Sequence, residues 1–110
     1  MTNKEINVAI AEHLGWQRYA DAADGGECWH KTHEGYRKNP PNYAGDLNAC
    51  AQFEESLVRT DKRTLYLDHL YAIVCGDRAQ KWEREWFTVA AKAHQRCEAF
   101  LRAIGKWRDA

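Results

Sequence analysis

The chain has 110 residues, of which 45% are hydrophobic and 12% aromatic, and five are Trp. This composition excludes a disordered chain and predicts one domain over residues 1–110 with a single hydrophobic core. Sixteen Lys and Arg balance sixteen Asp and Glu, so the chain lacks the basic excess typical of nucleic-acid-binding domains. No stretch approaches the roughly 20 apolar residues of a membrane span, and we expect a cytoplasmic protein that does not contact membranes.

The first half of the chain predicts one helix followed by two short strands. Thr2 and Glu5 have the spacing of a capping box at the start of the helix. Pro40-Pro41 interrupts regular structure and favours a loop. The predicted elements are a helix over 3–14, strands over 16–19 and 27–31, and a loop over 32–44.

The second half predicts three helices and one strand. Thr88 suits the N-cap of the last helix and Gly105 suits its C-terminal end. Trp82 and Trp86 fit either a helix face or a strand, and we favour a strand. The predicted elements are helices over 46–58 and 61–75, a strand over 81–87 and a helix over 88–104.

These elements predict an α+β fold, in which about four helices pack on a small antiparallel sheet of two to four strands. The C-terminal helix is expected to be the longest. Its apolar stripe predicts that Phe100 and Leu101 are buried, and Trp107 is expected to pack back on the helix. An all-α bundle is the alternative, because the helical patterns are stronger than the strand patterns.

The residues that could carry chemistry do not form a recognisable catalytic or metal-binding motif. Cys28, His30 and His33 have the side chains of metal ligands, but their spacing matches no zinc motif, so solvent-facing histidines are expected. The chain has no phosphate-binding glycine loop and no nucleophile with a base and an orienting group. We therefore expect no enzymatic activity, no metal and no cofactor. The four cysteines, expected to be reduced, are Cys28, Cys50, Cys75 and Cys97.

The aromatic and basic side chains favour a binding function. The block from residue 81 to 87 has more aromatic area than one element can bury, so part of it should lie at the surface beside Arg84, as in an interface hot spot. The alternative is that Trp82 and Trp86 are both core residues. The predicted partner-binding residues are Trp82, Arg84, Trp86, Arg18, Tyr36 and Arg37.

Three segments, near residues 2–16, 40–58 and 88–107, resemble small phage and prophage proteins of the phage ABA sandwich type. The matching residues are Leu14, Gly15, Trp16, Pro41, Tyr43, Asp46, Leu47, Ala49, Ala93, Gln95, Arg96, Glu98, Ala99, Phe100, Leu101 and Gly105. The resemblance implies a compact α+β domain from a phage or prophage, and it implies no catalytic residues.

Three functions agree with these observations. The first is a phage-encoded, non-enzymatic inhibitor that binds a host antiviral defence protein in the host cytoplasm, as an anti-CRISPR protein does. The second is an oligomer, such as a homodimer, that sequesters a nucleotide immune signal in a pocket lined by aromatic and Arg side chains. The third is a structural or accessory phage protein.

Overall fold

A computed structural model of the chain describes residues 1–20, 27–76 and 91–109. These residues form four helices and a three-stranded antiparallel sheet, which confirms the predicted α+β class. In chain order, the elements are α1 (Asn3–His13), β1 (Gln17–Ala20), β2 (Glu27–Lys31), β3 (Gly35–Arg37), α2 (Leu47–Ser56), α3 (Lys62–Cys75) and α4 (Ala93–Ala103). Within the described ranges, no helix is both long enough and apolar enough to cross a membrane.

Helix α1 begins as its sequence predicts. The Thr2 hydroxyl accepts a hydrogen bond from the Glu5 backbone N–H (3.2 Å), and the Glu5 carboxylate accepts one from the Thr2 N–H (3.0 Å). This reciprocal pair satisfies two backbone donors that would otherwise lack partners at the start of the helix. The buried face of α1 carries Ile6, Ile10 and Ala11.

The sheet has the strand order β1-β2-β3. Strand β3 is a correction, because residues 32–44 were predicted to be a loop. The chain turns back after β2 because His33 and Gly35 adopt positive φ angles of 71° and 87°, and the Glu34 N–H donates to the Lys31 carbonyl (2.9 Å). Left-handed backbone is uncommon for a non-glycine residue, so His33 gave no turn signal in the sequence.

Helix α4 begins later than predicted. It starts at Ala93, with Lys92 in an extended conformation, and the Gln95 side chain accepts a hydrogen bond from the Lys92 N–H (2.9 Å). The predicted N-cap, Thr88, and the strand predicted over 81–87 lie outside the described residues. The expectation that the last helix is the longest is not confirmed, since α4 has 11 residues and α3 has 14.

The core is centred on α4, and Phe100 and Leu101 are completely buried, as predicted. The Phe100 ring stacks on Phe53 of α2, with ring centroids 4.6 Å apart. Trp107 packs against the core, and the Arg102 guanidinium carbon lies 5.5 Å from the centroid of its ring. The prediction that Trp107 folds back on the last helix is therefore confirmed.

A polar network joins three of the helices beside this core. One carboxylate oxygen of Glu54 on α2 accepts hydrogen bonds from the Tyr66 hydroxyl of α3 (2.8 Å) and from Arg96 of α4 (2.9 Å). Burial, followed by the Glu54 charge, raises the pKa of Tyr66, so this hydroxyl remains a donor at neutral pH. These hydrogen bonds link α2, α3 and α4 and stabilise their relative positions.

Candidate functional site

The register of the sheet sorts its side chains onto two faces. Strands β1, β2 and β3 place Arg18, Trp29 and Arg37 in one row, and Gln17, His30 and Tyr36 in the next. Because directly opposed residues of a sheet share a face and neighbouring residues alternate, the two rows face opposite ways. Trp29 is only 1% exposed, so its row lies on the face that packs against the core, which we call the inner face.

Arg18 on the inner face is already engaged. Its guanidinium carbon lies 4.9 Å from the centroid of the Trp29 ring, and its Nη2 forms an ion pair with Glu12 of α1 (3.1 Å). These contacts join β1 to β2 and to α1. The contacts of Arg18 therefore stabilise the fold, and part of its side chain stays exposed.

The opposite face, the outer face, carries three aromatic side chains that touch in sequence across the three strands. We call Tyr19, His30 and Tyr36 the aromatic strip. The ring centroids of Tyr19 and His30 are 6.4 Å apart, and those of His30 and Tyr36 are 4.4 Å apart. Tyr19 is 46% exposed and Tyr36 is 73% exposed. Gln17 and Cys28 share this face, so its described side chains include no Lys, Arg, Asp or Glu.

The structure separates the predicted partner-binding residues that it describes. Tyr36 lies on the outer face, whereas Arg18 and Arg37 belong to the inner row. The other three predicted residues, Trp82, Arg84 and Trp86, lie outside the described residues. The aromatic strip adds Tyr19 and His30, which the sequence analysis did not select for partner binding. The signal in the sequence is weak, because polar and apolar residues do not alternate strictly along β1 or β2, and only the register shows that Tyr19 and His30 meet.

The strand register also shows where the residues considered as metal ligands, Cys28, His30 and His33, lie. Cys28 and His30 share the outer face, and His33 lies in the turn that follows β2. Among the described residues, no group of three or more His, Cys, Asp or Glu side chains could hold a metal ion. All four cysteines are free thiols; Cys50 and Cys97 are buried, and Cys28 and Cys75 are half-buried.

The pKa shifts of the buried groups favour their protonated forms. A hydrogen bond with Cys50, together with burial, raises the pKa of the Cys97 thiol. Burial raises the pKa of Tyr43 to about 12. Because a thiolate is the reactive form of cysteine, the shift at Cys97 opposes nucleophilic chemistry at that residue.

A groove of about 730 Å³ lies between the first turns of α1 and the chain that follows β3. We call it the α1 groove. Among the described residues that line it, two are lysines, three are asparagines and none is acidic. The lining residues are Lys4, Asn7, Val8, Trp29, Lys38, Asn39, Pro40 and Asn42.

Comparisons of the chain with protein-family models, with curated proteins and with solved structures give no match. The resemblance to phage ABA sandwich proteins and the homodimer therefore stay predictions.

Proposed function

We propose that this chain is a small, non-enzymatic binding protein that inhibits a protein partner by covering part of its surface with the outer face of the sheet. The observation that supports this function is the aromatic strip, in which Tyr36 is 73% exposed and held against His30. Tyr is one of the residue types enriched among the few side chains that carry most of the binding energy at protein interfaces.

Sheet stability alone does not account for the strip. Cross-strand aromatic pairs contribute only about 0.2–1 kcal/mol each to the stability of a sheet. Such pairing accounts for the contacts of the His30 ring with its neighbours, but it does not require that Tyr36 be exposed. The centres of protein interfaces are rich in Tyr and depleted of charged residues, and the described part of the outer face has both properties. The Tyr36 hydroxyl forms no hydrogen bond within the described residues, so it is available to a partner.

The proposed partner is a host antiviral defence protein, such as a CRISPR effector, that a phage-encoded inhibitor meets in the host cytoplasm. The resemblance to small phage proteins supports this part of the proposal. The chemistry of the strip suits a partner surface that is mostly apolar, with a hydrogen-bonding group for the Tyr36 hydroxyl. The predicted contributions of Trp82, Arg84 and Trp86 remain part of the proposal.

The test is a plaque assay in bacterial strains that each carry one defined CRISPR–Cas system and express this protein. We expect the wild-type protein to restore plaque formation by a targeted phage in at least one strain. Tyr36→Ala should abolish the restoration, because it removes the most exposed ring of the strip. Leu65→Ala is the matched control: Leu65 is an apolar residue of α3 that is 40% exposed, and its loss should leave the restoration intact.

Two results would overturn the proposal. Plaque formation that stays blocked in every strain, while the wild-type protein is present and folded, would exclude inhibition of these effectors. Restoration by Tyr36→Ala at the wild-type level would exclude the aromatic strip as the binding surface.

A further inference from the structure

We propose that the α1 groove is a binding site for a nucleoside monophosphate, with the phosphate held by Lys4 and Lys38 and the base lying among the asparagine side chains. The site is distinct from the aromatic strip. Trp29, which lines the groove, belongs to the inner face of the sheet, whereas the strip lies on the outer face.

The charge of the groove favours an anion. Lys4 and Lys38 are the charged residues among its described lining, both are exposed, and neither forms an ion pair or hydrogen bond within the described ranges. Elsewhere in the described chain, Arg102 and Arg108 each pair with a carboxylate. Within the lining of the groove, no described carboxylate balances these two lysines. Lysine is a common phosphate ligand that acts as a point charge.

The asparagine side chains supply the hydrogen-bonding groups that a nucleobase needs. Asn7 is fixed by the fold, because its Oδ1 accepts from the Ala44 N–H (2.8 Å) and its Nδ2 donates to Asn42 Oδ1 (3.2 Å). This bond orients Asn42 and leaves its Nδ2 without a hydrogen bond to described residues, and the Asn39 side chain has none either. A carboxamide carries both donors and an acceptor, as does the edge of a base.

The remaining wall and the size of the groove also suit such a ligand. Val8 and Pro40 provide an apolar surface beside the polar groups, to which Trp29, only 1% exposed, adds little. Small-molecule sites typically combine apolar walls with a few polar groups in volumes of about 300–1,000 Å³, and the groove measures about 730 Å³. The apolar wall, the carboxamides of Asn39 and Asn42 and the two lysines match the base, ribose and phosphate of one nucleotide.

The experiment is a calorimetric titration at low ionic strength with AMP, GMP, CMP and UMP, and separately with the matching nucleosides and with inorganic phosphate. We expect at least one nucleotide to bind more tightly than its nucleoside and more tightly than phosphate. The double variant Lys4→Gln/Lys38→Gln should bind this nucleotide at least about tenfold more weakly, since charge-assisted contacts are lost. The control Lys62→Gln/Lys106→Gln removes two lysines that do not line the groove and should bind normally.

A second variant tests the base-binding side. Asn39→Ala removes a side chain with no hydrogen bond in the described chain, so the fold should be retained, as its melting temperature would verify. Nucleotide binding should weaken while phosphate binding stays unchanged. The proposal is overturned if no nucleotide binds at millimolar concentration, if the groove and control lysine variants bind alike, or if phosphate binds as tightly as every nucleotide.

Discussion

Phe100 lies at the centre of the core. Its ring is completely buried, stacks on Phe53 with an interplanar angle of 29°, and meets the His13 ring edge-on with centroids 5.5 Å apart. Rings from α1, α2 and α4 thus meet at one side chain. Its burial followed from the apolar stripe of α4, because helical spacing can be read from the sequence alone.

Phe100→Ala should lower the free energy of unfolding by roughly 3–5 kcal/mol, the usual cost of removing a buried ring. Urea denaturation followed by circular dichroism measures this change. Leu65→Ala, at an exposed position, should stay within about 0.5 kcal/mol of the wild type. A Phe100→Ala protein as stable as the Leu65→Ala control would show that the stripe of α4 is not the centre of the core.

At the scale of elements, local signals decided which predictions succeeded. Helix α1 was predicted because both halves of its capping box lie within one turn, at Thr2 and Glu5. Strand β3 was missed because the turn before it depends on left-handed backbone at His33, which is uncommon for a non-glycine residue. The start of α4 was misplaced because Thr88 is a good N-cap by type, whereas the structure begins the helix at Ala93.

The capping box of α1 also makes stability depend on pH. The hydrogen bond from the Thr2 backbone, followed by the Thr2 hydroxyl and then the Arg108 charge, lowers the pKa of Glu5 below its ordinary value of 4.5. Because the folded state prefers ionised Glu5, this contribution to stability is present above pH 4.5 and is lost as the pH falls through the lower pKa of the folded state.

Glu5→Gln should therefore reduce the fall in melting temperature of the protein between about pH 5 and pH 3. Thermal unfolding at a series of pH values measures it. Glu55→Gln, at an exposed carboxylate of α2, is the matched control and should keep the wild-type slope. An unchanged slope in Glu5→Gln would contradict the capping role of the carboxylate.

At the scale of the whole molecule, long-range pairing determines both candidate sites. Arg18, Tyr36 and Arg37 were predicted to contribute to one six-residue partner-binding surface, but the strand register sends Tyr36 to the outer face and the two arginines to the inner row. Alternation along one strand is visible in a sequence, whereas the partner that each residue meets across the sheet is not. The α1 groove was not predicted for the same reason, since it joins Lys4 to Lys38 and Asn39.

This arrangement gives the molecule two surfaces of different chemistry. The outer face carries aromatic side chains, and the α1 groove carries two lysines and three carboxamides. Trp29 lines the α1 groove and lies on the face of the sheet opposite to the aromatic strip. A substitution in one of the two surfaces should therefore leave the other unchanged. A variant that loses nucleotide binding should therefore still restore plaque formation.

The central claim, that the outer face binds a defence protein, is tested most directly by photo-crosslinking in cells. The photoreactive residue p-benzoylphenylalanine replaces Tyr36 in one protein and Leu65 in another, so both positions carry an exposed aromatic probe. The strain is one whose CRISPR effector the wild-type protein suppresses. We predict that irradiation links the effector to position 36 and not to position 65. Crosslinks of equal yield from both positions, or from position 65 alone, would contradict the account.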